Sequence, residues 1–71
     1  MKIIKLFIEN VFSSAQDTEV AANTVGELRE DERWTLKGTI VVNDVIASNS
    51  TLIAEGDSVS HTGGGKTGGN A

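Results

Sequence analysis

Thr39-Ile40-Val41-Val42-Asn43-Asp44-Val45-Ile46-Ala47 is the stretch on which the fold turns. Its first half is dense in β-branched side chains, which suit a pleated, half-buried surface better than a helix. Asn43-Asp44 is a turn dipeptide, and both residue types tolerate the left-handed backbone that a two-residue hairpin loop demands. Val45-Ile46-Ala47 then resumes as a strand, so the stretch predicts a tight β-hairpin. Proline is absent from the chain, so nothing forbids continuous ladders.

Before the hairpin, Thr24-Val25-Gly26-Glu27 carries a capping-box pattern, in which threonine and glutamate each satisfy a backbone N–H at a helix start. Val25 and Leu28 share one face of that helix, and Glu27, Glu30 and Asp31 are expected near the positive end of its dipole. Gly26 weakens it by about 1 kcal/mol relative to alanine, so packing of Val25 and Leu28 must hold it. Lys37-Gly38 marks its latest end. Met1 to Phe12 reads as a buried strand, with Ile4, Leu6 and Ile8 on one face and Ile3, Lys5, Phe7 and Glu9 on the other. Lys5 interrupts the apolar stretch, Glu9 and Asn10 end it, and no small-residue cleavage site follows at a sensible distance, so a strand is expected here rather than a signal peptide. Ser13 to Asp17 reads as a loop, and Thr18 to Ala21 as a short second strand.

After the hairpin, Ser48 to Thr51 is a polar connection and Leu52 is expected to pack back. Glu55-Gly56-Asp57 turns, and Ser58-Val59-Ser60 begins a last strand. Gly63 to Gly69 then holds five glycines in seven residues, which predicts a flexible tail because glycine loses most backbone entropy on ordering. The expected layout is therefore a single domain over residues 1–62 and a glycine-rich tail over residues 63–71. The element order is strand, strand, helix, strand, strand, strand: an α+β chain with a mixed sheet of four to five strands on one short helix.

Bulk properties narrow the function. Seventy-one residues, with no cysteine, make a small domain without disulfides or thiolate metal sites. A formal charge of −4 argues against nucleic-acid and acidic-lipid binding, where a basic stripe is expected. No apolar run approaches the roughly 18 residues of a membrane span, and a cytoplasmic location follows by default. His61, the sole histidine, has no clustered ligands to join it, so no metal or cofactor is expected and a solvent-facing strand position is assigned to it. Gly65-Lys66-Thr67 is half of a P-loop, but Ser60 stands where its opening glycine belongs and no helix follows. No catalytic constellation can be assembled from the serines, and the chain is read as a non-enzyme.

The element order is that of the β-grasp. Thr24-Val25-Gly26-Glu27-Leu28, Ile40-Val41-Val42-Asn43-Asp44 and Leu52-Ile53-Ala54-Glu55-Gly56-Asp57-Ser58-Val59 follow in register. They resemble the helix start, the central strand with its turn, and the Leu-x-x-Gly-Asp-x-Val run before the last strand in the sulfur-carrier proteins of thiamin and molybdenum-cofactor biosynthesis, which are ubiquitin-like. Gly68-Gly69 falls about where that family's terminal Gly-Gly stands, although Asn70-Ala71 follow it here. The resemblance implies a carrier or protein modifier: Gly69 presents a reactive carboxyl, Gly68 provides a thin neck, and an ATP-dependent activating enzyme is the partner. A maturation peptidase would first remove Asn70-Ala71. The alternative is a non-catalytic protein–protein interaction module. Its candidate contacts are Trp34, the sole tryptophan, and an outer-face sheet patch of Ile3, Phe7 and Val45, the usual binding surface of ubiquitin-like folds.

Overall fold

A computed structural model describes residues 1–34 and 36–63 and places the expected elements in the expected order. These are β1 (Lys2–Ile8), β2 (Gln16–Val20), α1 (Val25–Arg29), β3 (Gly38–Val42), β4 (Val45–Ile46) and β5 (Ser58–Gly63). They build one mixed five-stranded sheet in the order β2-β1-β5-β3-β4, with β1 and β5 parallel and the other neighbours antiparallel. No helix among the described residues is long and apolar enough to cross a membrane.

The alternation in β1 decides which side of the sheet is covered. Ile4, Leu6 and Ile8 are fully buried, and the register sets Leu6 beside Val59 on β5 and, through it, Val42 on β3, and Ile8 beside His61 and, through it, Ile40. Val25 and Leu28 from α1, Leu36 and Ile53 complete the same core. Each large aliphatic side chain removed from water there contributes about 1.5–3 kcal/mol.

The turns follow from residue chemistry. Asn43 and Asp44 take φ of 51° and 69°, the left-handed pair of a type I′ hairpin loop, enclosed by the Val42–Val45 pair. Thr24 caps α1, its hydroxyl accepting from the Glu27 N–H at 3.2 Å. The reciprocal bond lands one residue earlier than in a standard capping box: Glu27 accepts from the Asn23 N–H at 2.8 Å. Gly26 is there because the chain passes too close for a side chain. Its N–H donates to Asn49 O at 2.8 Å, and a Cβ would lie 3.1 Å from that oxygen.

Several expectations are corrected. β1 stops at Ile8, because Asn10 turns the backbone to φ 69° and Val11 and Phe12 both donate back to Ile8 O. α1 ends at Arg29, so Glu30 caps its C-terminus and Asp31 lies beyond it; only Glu27 sits in the favourable first turn. Leu52 is 74 % exposed, and Ile53 is the residue that packs back, at 4 %. Ile53 stands three residues before Gly56, so it fills the position that the Leu-x-x-Gly-Asp pattern gives to leucine. His61 is buried rather than solvent-facing, at 5 % exposure, because β5 alternates in step with β1 and carries Val59 and His61 on the core face.

Candidate functional site

Among the described residues the far side of the sheet carries no helix, and it is built from the other half of each alternation. Phe7 on β1 lies opposite Ser60 on β5, Ser60 opposite Val41 on β3, and Val41 opposite Ile46 on β4. Three large apolar side chains and one small hydroxyl thus form a row across four strands. Ile46 is 76 % exposed, and Phe7 and Val41 are half-buried. Ile3, on the same face of β1, is 44 % exposed. Lys5 and Asp17, paired across β1 and β2 at 2.8 Å, bound the row on one side.

Of the predicted patch, Ile3 and Phe7 therefore share this outer face, but Val45 does not. It lies opposite Val42, a core residue, and so projects to the covered side, where it remains 66 % exposed beyond the reach of α1. Ile46 takes the place expected of Val45. The period of a strand is two, so one residue of register moves a side chain to the other face. The type I′ loop sets that register, and counting from Val42 across a two-residue loop would have found Ile46.

Trp34 forms a separate corner. It is half-buried, packed against the core edge, and meets Phe12 edge-on with ring centroids 6.3 Å apart. The Arg33 guanidinium lies 4.2 Å from the Trp34 ring centroid, is gripped by both Asp31 carboxylate oxygens, and donates to Glu19 O on β2 at 2.9 Å. Arg33 holds the Asp31 carboxyl below its usual range, first through its side chain and then through its backbone N–H. Asp31 also lines an open pocket of about 290 Å³ with Ala21, Ala22, Glu27 and Glu30.

The third place is the root of the glycine-rich segment. β5 is the middle strand, and its last residue, Gly63, pairs with Gly38 on β3. Just before it, the His61 ring bonds through Nε2 to Lys37 O, while Nδ1 is buried with no hydrogen-bond partner. Gly68 and Gly69, and the P-loop-like Lys66-Thr67, lie outside the described residues.

At the opposite end, Asp57 ties the approach to β5 to the hairpin. Its carboxylate accepts from Ala54 N–H at 2.8 Å and from Asn43 Nδ2 at 3.0 Å, and Asn43 Oδ1 accepts from Ser58 N–H at 2.9 Å. The Ala54 bond, followed by the Asn43 bond, draws the Asp57 carboxyl below its ordinary value. Among the described residues no group of three or more His, Asp, Glu or Cys side chains is arranged to hold a metal ion. Sequence reasoning missed Arg29. Its guanidinium donates to Asn49 Oδ1, Leu36 O and Gly38 O at 2.9, 2.7 and 2.9 Å, joining α1 to the start of β3 and to the loop over Gly26. Comparison with protein-family models, with curated proteins and with solved structures finds no match to this chain.

Proposed function

We propose that this chain is a β-grasp protein of the ubiquitin-like kind, resembling the sulfur carriers, and that it serves as a substrate of enzymes. The observation that carries the reading is the strand arrangement. β1 and β5 are parallel neighbours at the centre of the sheet, the helix lies between two hairpins in the chain, and β5 leads directly into Gly63 and the glycines beyond. A carboxyl on a run of glycines reaches into a narrow enzyme channel, because a backbone without Cβ atoms passes where other residues clash. Hydrolysis of the Gly69–Asn70 bond would expose the Gly69 carboxylate. An ATP-dependent activating enzyme would then convert it to an acyl adenylate, releasing pyrophosphate, and a sulfur or amine nucleophile would displace AMP.

Intact-mass spectrometry of the protein from its native cell tests this. A species ending at Gly69, or one with sulfur in place of a carboxyl oxygen or joined to another protein, supports the carrier. A population in which the Gly69–Asn70 bond is wholly intact overturns it.

The second reading, an interaction module, is favoured by the uncovered row of Phe7, Val41 and Ile46. On that reading the row, with Ile3 beside it, is the contact surface for a protein partner. Ile46→Asp would abolish partner capture without unfolding the domain, since Ile46 is largely exposed.

A further inference from the structure

We infer that His61 is a proton-sensitive latch on the end of β5: the neutral ring holds the strand in the sheet, and the charged ring lets its last residues go. The device stands whether or not the chain is a carrier. Lys37 O can only accept, so the Nε2 that bonds it carries the proton and Nδ1 is left as a bare lone pair. That nitrogen is buried, on a side chain 5 % exposed, and among the described residues no donor or acceptor reaches it. A second proton could go only there. It would create a buried N–H with no acceptor, and a charge beside Ile8 and Ile40, the cross-strand neighbours of His61.

No charged group of the surrounding elements meets Nδ1. Arg29 of α1 is itself a cation and holds Leu36 O and Gly38 O, the carbonyls on either side of the one the ring binds. Glu27 accepts from the Asn23 N–H, and Glu30 lines the pocket at Ala21 and Ala22. Glu32 and Lys37, ahead of β3, are exposed. On β1, Lys5 pairs with Asp17, and Lys2 donates to Ala22 O and Asn23 Oδ1. Glu9 meets His61 through the backbone, its N–H donating to His61 O at 3.2 Å. Asp57 lies at the other end of β5, and Asp31 and Arg33 are joined to each other beside β2. Opening the end of the strand is thus how the ring reaches water and takes its proton. Few bonds are given up. By alternation from the bond of Asn43 N–H to Ser58 O, Thr39 and Thr62 form the last bonded pair of the β3–β5 seam, with the Glu9 N–H on the other side. A histidine in water changes charge near pH 6.5, so below about that value the open form binds the extra proton and the stability of the closed end is lost as pH falls. On the carrier reading, the freed residues would lengthen the chain behind Gly68-Gly69.

Backbone amide exchange of the full chain, measured by NMR at about pH 7 and about pH 5 and expressed as protection factors, reads the latch. Thr39, Thr62 and Glu9 are expected to lose about tenfold or more, up to about 25-fold for one fully coupled proton. Asn43, at the far end of the same seam, and Leu28 in α1 should hold theirs. The His61 ring, followed in the same samples, should gain its proton in step with that loss. His61→Gln keeps a donor for Lys37 O and His61→Phe keeps an aromatic ring in the core. Neither can take the proton, so each should show the same protection at both pH values, and circular dichroism shows which of them is folded. Unchanged protection at Thr39 and Thr62 in the parent, a fall shared equally by Asn43 and Leu28, a ring that charges while protection holds, or the parent's pH response persisting in a folded variant would each overturn the proposal. The Gly69–Asn70 bond plays no part in this measurement, so its failure and that of the carrier reading are separate results.

Discussion

Arg29→Met removes the guanidinium while keeping the unbranched stem and a good helix former, so it isolates the contacts that join α1 to the start of β3. Three hydrogen bonds are lost, of which the one to Leu36 O is partly buried and the other two are exposed. A bond from a charged donor in a partly dry place is worth about 1.5–3 kcal/mol, and exposed bonds about 0.5 kcal/mol each, because water replaces them. The sum is a loss of about 2.5–4 kcal/mol, large against the roughly 4–10 kcal/mol expected of a domain this small. Urea unfolding followed by Trp34 fluorescence and by circular dichroism measures it. The midpoint should fall with an unchanged slope, since the surface exposed on unfolding is the same. Arg29→Lys should recover less than half of the loss, because an ammonium cannot span acceptors on two segments as a planar guanidinium does. A cost below about 0.5 kcal/mol for the methionine variant, or full recovery by lysine, would refute the assignment of Arg29 as the tie between these elements.

Gly26→Ala should destabilise by about 1 kcal/mol despite alanine's helix propensity, because crowding against Asn49 outweighs the propensity gained; chemical unfolding reads the sign, and a more stable variant would contradict the close approach. Asp44→Gly should stabilise by up to about 1 kcal/mol, as its φ of 69° suits glycine, and a lower melting temperature would count against the type I′ loop. Asp57 gives a pH signature. Its carboxyl is held below the ordinary aspartate value in the folded state, so it contributes stability above that ordinary value that is lost as pH falls through the folded one. Asp57→Ala should therefore be less stable than the parent at neutral pH, with the gap closing as pH drops below about 3.8; thermal unfolding across that range decides, and a constant gap would mean the carboxylate's charge is not involved.

The elements that read most clearly in the sequence are those where one local rule dominates. β-branched Ile40, Val41 and Val42, the Asn43-Asp44 loop, the Thr24 cap and the alternation of Ile4, Leu6 and Ile8 each announce their structure without help from distant residues. What escaped depends on partners far along the chain. His61 looks solvent-facing by its polarity, yet the register of β5 against β1, set over a separation of more than fifty residues, turns it inward. Leu52 and Ile53 are equally apolar, and only the pairing of Ile53 N–H with Asn23 O shows which one the core takes. Arg29 looked like an ordinary exposed cation because its acceptors are two backbone carbonyls and an asparagine, none marked by charge. In the candidate contact surface Ile3 and Phe7 were legible from β1 alone, whereas Ile46 needed the loop type.

The parallel pairing of β1 with β5 has a mechanical consequence. The chain enters the domain at the start of one strand and leaves at the end of its parallel neighbour, so tension applied between the two ends runs along both strands in opposite senses. The bonds linking Lys5 through Ile8 to Ser58 through His61 are then loaded together in shear rather than opened one at a time. The antiparallel β3–β4 hairpin, closed by a two-residue loop, would peel pair by pair under a pull on its free arms. The domain should therefore resist being drawn out by its ends more strongly than by the hairpin, with the β1–β5 seam as the part that must fail first.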